Sequence, residues 1–285
     1  RRRTEARRVL ADVAEHRADT LIVVPTVLQR LVGLGREALS AYDTSSLRII
    51  VCGGSVLPPD LCRQVAAAFG DVLYNVYGST EVANAAVATP AELRRAPGTV
   101  GRPLVGCRIA LYDESRRPVT EPGRPGTIFA GNGLSFSGYT DGGGKETVDG
   151  LVCTGDVGHF DADGLLFIDG RADEMIVSGG ENVFPKEVED SLARHEAVVE
   201  VAAIGVDDDD FGQRLRAFVV LREGASASEE ELKAHVRDNL ARFKVPREIV
   251  ILDELPRNAT GKVLKRELVE YDAGSGADTT GADQP

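Results

Sequence analysis

Four short segments carry side chains suited to chemistry. Asn75-Val76-Tyr77-Gly78-Ser79-Thr80-Glu81 gathers an aromatic ring, a glycine, hydroxyls and a carboxylate. It follows an apolar run over 72–76, so it is expected at the carboxyl end of a strand, where open α/β sheets bind ligands. A ring that stacks on a base, a hydroxyl for a phosphate and an oxygen ligand for Mg2+ suit a nucleotide; a plain strand-to-loop turn is the alternative. Thr154-Gly155-Asp156 reads as a carboxylate after a glycine turn, able to accept hydrogen bonds from the two hydroxyls of a ribose, although Gly-Asp turns are common. In Gly170-Arg171-Ala172-Asp173-Glu174-Met175-Ile176-Val177-Ser178-Gly179-Gly180-Glu181-Asn182-Val183-Phe184-Pro185, Arg171 is a rigid fork of donors for ribose or phosphate. Asp173 sits at a seam in the texture of the chain, where a hinge would absorb backbone rotation. Gly179-Gly180 removes side chains where something slender could pass; a surface linker need be neither this apolar nor this rich in glycine. Finally, Pro256-Arg257-Asn258-Ala259-Thr260-Gly261-Lys262-Val263-Leu264-Lys265-Arg266 sets Lys262 in a glycine loop, from which an ammonium could be delivered to a phosphate and withdrawn. A lone lysine is otherwise a solvated side chain.

Other sequences lack the context their chemistry needs. Gly142-Gly143-Gly144-Lys145 has no upstream glycine at the phosphate-loop offset, and Glu146 stands where a Ser or Thr would meet Mg2+. Gly33-Leu34-Gly35-Arg36-Glu37-Ala38 fits a dinucleotide fingerprint but follows a helix-like stretch instead of a strand. Residues 207–210, all aspartate, lack EF-hand spacing and read as a solvated loop. His16, His159, His195 and His235 are dispersed, and none completes a nucleophile motif with Ser or Cys.

The elements that must position these segments follow from periodicity. Helical spacing over 4–17 alternates with apolar runs at 21–24, 47–52 and 72–76 and with a helix opened by Pro58-Pro59 and closed by Gly70. Strand–helix–strand alternation implies a parallel sheet covered by helices. Between about 96 and 170, Gly and Pro become frequent and short strands are expected at 108–112, 126–130 and 165–168. From about 173 the pattern is that of a small α+β domain. It has a helix over 185–194, strands at 198–206 and 214–221, a capping box at Ser228-Glu229-Glu230-Glu231 opening a helix to about 242, a strand at 248–252 and a short helix after Lys262.

The 285 residues suggest two domains at roughly 100–200 residues each. Apolar residues form 42% and charged residues 27% of the chain, ordinary values for a globular protein. With 33 basic and 45 acidic side chains the net charge is −12, which argues against nucleic acid as a partner but not against a nucleotide. No stretch approaches a transmembrane segment. Arg1-Arg2-Arg3 is not followed by the apolar region of a signal peptide. Cys52, Cys62, Cys107 and Cys153 lack metal or disulfide spacing and read as free buried thiols in a cytoplasmic protein.

In this order and separation, the four segments resemble the AMP-forming adenylating superfamily. Its members include acyl-CoA synthetases, aryl-CoA ligases, peptide-synthetase adenylation domains and beetle luciferases. Ser135-Phe136-Ser137-Gly138-Tyr139, Thr154-Gly155-Asp156-Val157-Gly158 and the run from Ser178 to Pro185 look most like bacterial fatty-acyl-CoA ligases. The resemblance spans about 5–271. It implies an α/β fold: the C-terminal part of a large AMP-binding domain with a β-rich subdomain over 1–172, then a hinge and a small mobile α+β domain over 173–271, with a disordered tail over 272–285. The family's Gly/Ser/Thr-rich phosphate loop does not occur in this sequence. The first residue is not Met, and the chain is read as the C-terminal half of a ligase.

The resemblance further implies that Tyr77 stacks on adenine and Asn75 meets its edge, with Gly53, Gly54 and Ser55 bordering adenine and acyl chain. Gly78 belongs to the same nucleotide segment. Thr80 would bind the α-phosphate and Glu81 would ligate Mg2+. Asp156 and Arg171 would hold the ribose and Asp173 would be the hinge. Ser178, Gly179 and Gly180 would line the pantetheine passage, and Lys262 would bridge carboxylate and phosphate. The implied activity joins a fatty or other carboxylic acid to CoA, using ATP, through acyl-AMP. A domain that loads a carrier protein, and an inactive fragment that binds AMP, are the alternatives. Oligomeric state is not legible.

Overall fold

A computed structural model of the chain describes residues 6–140, 142–178, 181–208, 210–258 and 263–271. The chain divides into two units, Arg1–Asp173 and Glu174–Pro285.

The first unit begins with α1 (Ala6–His16), β1 (Thr20–Val23), α2 (Pro25–Val32), α3 (Gly35–Ser40), β2 (Ile49–Cys52), α4 (Pro59–Phe69) and β3 (Leu73–Ser79). The three strands pair in parallel in the order β1-β2-β3. Ile50, Cys52 and Leu73 on one face meet Leu10 and Val13 of α1, Leu28 and Leu31 of α2, and Leu61 and Val65 of α4. This is the helix-covered parallel sheet that the alternation predicts. Truncating one such fully buried leucine to alanine costs about 2–5 kcal/mol.

β4 (Ala83–Ala88) then runs antiparallel to β3, followed by α5 (Pro90–Arg95) and β5 (Arg102–Pro103), which pairs with β4. Periodicity does not reveal β4: its Ala-Asn-Ala-Ala-Val-Ala sequence has little β preference, and pairing with β3 imposes the strand. The signal for α5 was present, because Thr89 and Glu92 form a full capping box around Pro90.

A second, antiparallel sheet has the order β10-β9-β7-β6 with β8 against β9, built from β6 (Arg108–Tyr112), β7 (Gly126–Gly131), β8 (Thr147–Val148), β9 (Leu151–Phe160) and β10 (Leu166–Arg171). It packs on the first sheet through Leu111, Ile128 and Leu166 against Ala86 and Tyr77. Thr154-Gly155-Asp156 is the interior of β9, correcting the expected glycine turn. Gly155 has φ +82°, which only glycine adopts without strain, and a Cβ there would lie 3.0 Å from the Arg171 guanidinium. The ladder to β7 is irregular across this stretch, and β9 continues through it to Phe160.

On the same sheet His159 Nδ1 lies 2.9 Å from Asp169 Oδ1, and its ring stacks on Phe167. The bond to Asp169 raises the His159 pKa against the opposing effect of partial burial, with Asp161 adding to the field. A raised histidine pKa contributes stability below the unfolded value near 6.5, and that contribution is lost as pH rises through the folded value. We expect wild type to exceed His159→Gln by about 0.5 kcal/mol at pH 5.5–6, the difference shrinking above pH 7, in urea melts at both pH values. A gap that grows with pH would contradict the assignment.

The second unit contains β11 (Ile176–Ser178), β12 (Glu181–Val183), α6 (Pro185–Leu192), β13 (Val198–Asp208), β14 (Gly212–Leu221), α7 (Glu229–Asn239), β15 (Glu248–Ile251) and α8 (Lys265–Val269). β14 lies between antiparallel β13 and parallel β15 and also meets β11. Alternation along β13 and β14 sends Ala203, Leu215, Ala217 and Val219 toward α6 and α7, and Ala202, Ile204 and Phe218 toward Leu268 of α8. The Ser228–Glu231 capping box forms as predicted. Two expectations shift: α7 stops at Asn239, before a 3-10 turn at Arg242–Lys244, and Asp207 and Asp208 belong to β13 instead of a loop.

All four cysteines are free. Cys52 and Cys62 are buried as expected, while Cys107 and Cys153 are only half-buried. Burial raises the thiol pKa of Cys52 to about 12 and that of Cys62 to about 11, so both stay protonated and inert. Among the described residues no helix is long and apolar enough to cross a membrane.

Candidate functional site

The parallel strands deliver the predicted nucleotide segments to their carboxyl ends. Gly53, Gly54 and Ser55 follow β2, and the Gly53 N–H donates to the Val23 carbonyl at the end of β1 (3.3 Å). The next strand carries Tyr77 and Gly78, with Thr80 and Glu81 in the turn to β4. Gly78 is required by contact: a Cβ would collide with the Ala83 carbonyl oxygen across this tight hairpin. Ser55 and Thr80 are exposed.

Tyr77, Asp156 and Arg171, 94 positions apart at the extremes, form one hydrogen-bonded cluster. The Tyr77 hydroxyl donates to Asp156 Oδ2 (2.6 Å), and Arg171 Nη1 donates to Asp156 Oδ1 and to the Thr154 carbonyl, each at 3.2 Å. Sheet pairing makes this geometry, since Arg171 of β10 is the register partner of Asp156 of β9. Thr154 anchors the base of the cluster by donating from Oγ1 to the Ile128 carbonyl (2.9 Å). Burial, then the Asp156 charge, pushes the Tyr77 pKa well above the usual phenol value, so its hydroxyl is a fixed donor. Arg171 also grips Asp173, with Nε–Oδ1 at 3.0 Å and Nη2–Oδ2 at 3.2 Å. That bidentate pair raises the guanidinium pKa and holds the Asp173 carboxyl below its ordinary value.

Glu81 Oε1 accepts from the Tyr139 hydroxyl (2.7 Å), and the Phe136 N–H donates to the Glu81 carbonyl (2.8 Å). Tyr139, then Ser79, lowers the Glu81 pKa and keeps the carboxylate ionised. Mg2+ usually takes one or two protein carboxylates and completes its shell with water and phosphate. Glu81, with a second oxygen beyond the one Tyr139 occupies, fits that donor role. The fold adds Tyr139 to the site, a residue the sequence marked only as part of a motif.

Asn75 is not brought to the surface. It is 2% exposed, and its Nδ2 donates to the Thr99 carbonyl (2.9 Å), while Thr99 Oγ1 donates to the Leu166 carbonyl (2.8 Å). Its amide ties β3 to the second sheet and sets the base of the strand that carries Tyr77. A buried polar residue inside an apolar strand was the available clue.

In the second unit Ser178 borders a cavity of about 210 Å3 with Phe211, Arg242, Phe243 and Arg247 among its walls. The Arg247 guanidinium stands 4.4 Å from the Phe211 ring centroid. No motif had singled out these aromatic and basic residues, which converge from two strand ends and the turn after α7. Gly179, Gly180 and Lys262 lie outside the described residues. Glu146, which follows Gly142-Gly143-Gly144-Lys145, pairs with Arg116 at 2.6 Å.

Comparison with known proteins bears on the family and the fold. The "AMP-binding enzyme" family model matches residues 1–140, and the "AMP-binding enzyme C-terminal domain" model matches 187–262. The chain is 36% identical over 260 residues to an indoleacetate–CoA ligase of Aromatoleum aromaticum, covering 90% of this chain and 50% of that one. It is 34% identical over 262 residues to a long-chain-fatty-acid–CoA ligase of Bacillus subtilis, covering 90% and 46%. The solved structure of an amide bond synthetase from Marinactinospora thermotolerans superposes with a TM-score of 0.84 at 32% identity, over 92% of this chain and 55% of that one. The chain thus spans about half the length of the curated relatives it matches. Its mixed α/β architecture with several sheets is that of adenylate-forming enzymes. Sequence and fold agree over nine-tenths of its length, and the chain belongs to the AMP-binding enzyme family.

Proposed function

We propose that the chain works in an ATP-dependent carboxylic acid–CoA ligase that proceeds through acyl-AMP. The observation that carries this reading is the Tyr77–Asp156–Arg171 cluster at the carboxyl end of β3. It offers an aromatic face, a carboxylate for ribose hydroxyls and a fixed cation, with Glu81 four residues further along.

In the first step a carboxylate oxygen of the acid attacks the α-phosphorus of ATP. The bond from that phosphorus to the bridging oxygen breaks, and pyrophosphate leaves with the electron pair. Positioning and neutralisation of charge supply most of the catalysis. Asp156 and Arg171 hold the ribose, Thr80 donates to the α-phosphate, and Lys262 spans the two approaching anions. Mg2+ held by Glu81 would supply further positive charge at the phosphates. In the second step the sulfur of CoA bonds to the acyl carbon, AMP departs with the C–O electron pair, and the thiol proton passes to solvent. No enzyme nucleophile is needed, which accords with the dispersed histidines. The cavity beside Ser178, with Arg242 and Arg247, suits an anionic thiol carrier.

For the acid we propose a fatty acid, supported by the segments 135–139, 154–158 and 178–185. Assays with a panel of fatty and aryl acids, and with free CoA against a carrier protein, separate the choices; preference for an aryl acid or for the carrier overturns that part. The nucleotide reading is tested by calorimetric titration of AMP into the 285-residue chain. Asp156→Ala should weaken binding roughly 10- to 100-fold, the worth of a hydrogen bond to a charged group. Absence of binding by wild type, or equal affinity in the variant, would defeat it.

A further inference from the structure

The peptide link between Asp173 and Glu174 has an ionic anchor on each side. Asp173 is held by Arg171, two residues back along the chain. Glu174 is held by a residue far downstream: Lys265 Nζ lies 2.7 Å from Glu174 Oε2 and 3.0 Å from Glu189 Oε1. Glu189 Oε1 in turn accepts from the Ala203 N–H of β13 (2.8 Å). One ammonium therefore ties the residue after the link, α6 and the start of α8 to the sheet of the second unit. Burial works against the charge on Lys265, but Glu189 and Glu174 outweigh it and raise its pKa, so the cluster stays ionic.

Lys265 also lies three residues downstream of Lys262, next to described residues that are themselves tied down. The Leu264 N–H donates to the Pro256 carbonyl (2.8 Å), Arg257 and Val263 pair as an antiparallel bridge, and Arg257 Nη2 lies 2.8 Å from Glu200 Oε2 on β13. Both flanks of the stretch that contains Lys262 are thus linked to β13, the upstream flank directly through Arg257 and Glu200 and the downstream flank indirectly, from Lys265 through Glu189.

We infer that Lys265 is a positioning residue, fastening Glu174 to α6 and to the start of α8, so that backbone rotation is confined to the Asp173–Glu174 link and the residues flanking Lys262 keep their place on β13. The inference rests on the role proposed above for Lys262. A buried ion cluster that served stability alone would affect every activity alike, and this separates the two possibilities.

Lys265→Met, Lys265→Arg and Glu174→Gln are compared with Lys262→Ala by acyl-adenylate formation, by thioester formation from supplied acyl-adenylate, and by hydrogen exchange at the Leu264 amide. We expect Lys265→Met to slow adenylation roughly 10- to 100-fold, as misplacement of a catalytic group does, while thioester formation stays within about three-fold. Exchange at Leu264 should quicken, and Lys265→Arg should restore all three readouts. If Lys265→Met does not fold, Glu174→Gln, an isostere, decides the question by showing the same selectivity. Equal losses in both half-reactions, no loss, or unchanged exchange at Leu264 overturns the inference. Undiminished adenylation in Lys262→Ala overturns the Lys262 reading itself, and the Leu264 exchange keeps the two failures distinct.

Discussion

In a ligase that contains this chain, Lys262→Ala should slow acyl-adenylate formation on the order of 100- to 1000-fold, the loss typical when one preorganised charge-stabilising donor is removed. The reason is electrostatic. A carboxylate and a triphosphate must approach to bonding distance, and two unit charges about 4 Å apart repel by roughly 4 kcal/mol at the effective dielectric of a protein surface. An ammonium touching both anions offsets that repulsion, and the contact exists fully only as they meet. Thioester formation from supplied acyl-adenylate poses no such problem, because the thiol attacks a carbonyl and AMP is the leaving group. That half-reaction should survive Lys262→Ala within about three-fold. The measurement is a pair of single-turnover assays, ATP-dependent adenylate formation and CoA-dependent consumption of purified acyl-adenylate. Parallel losses in both would remove Lys262 from its assigned step.

Asp173→Pro should abolish one half-reaction, by about 100-fold or more, and leave the other near its normal rate, because proline holds φ near −65°. The substitution also releases the Arg171 guanidinium from its bidentate partner. Asp173→Ala is therefore the control: it removes the same ion pair and keeps the backbone free, so both half-reactions should continue. The pair of variants separates rotation from electrostatics. Survival of both half-reactions in the proline variant would refute a hinge at this position.

Legibility in the sequence followed the range of the interactions. The capping box at Ser228–Glu231 and the apolar runs that became β1, β2 and β3 are local signals, and the structure reproduces them within a few residues. β4 was hidden because its alanines state no preference of their own and the strand exists only against β3. Thr154-Gly155-Asp156 reads as a turn because Gly-Asp is turn-like locally, whereas the pairs with β7 on either side of it, Cys153–Phe129 and Val157–Thr127, and the pair of Asp156 with Arg171 of β10 carry β9 across it. Asn75 looked like a ligand contact beside Tyr77, yet alternation along a strand sends neighbours two apart to one face and leaves burial to decide which of them is covered.

The covalent sequence by itself determined which reactive groups are present and in what order, a ring, a carboxylate, an arginine and a lysine, and that order carries the resemblance to the family. Tertiary structure alone decided which of these groups meet. Tyr77, Asp156 and Arg171 are joined by strand register across two sheets, Tyr139 is added to Glu81 by a loop, and Lys265 reaches Glu174 across 91 positions. Such contacts arise from the packing of whole elements, and no local preference encodes them.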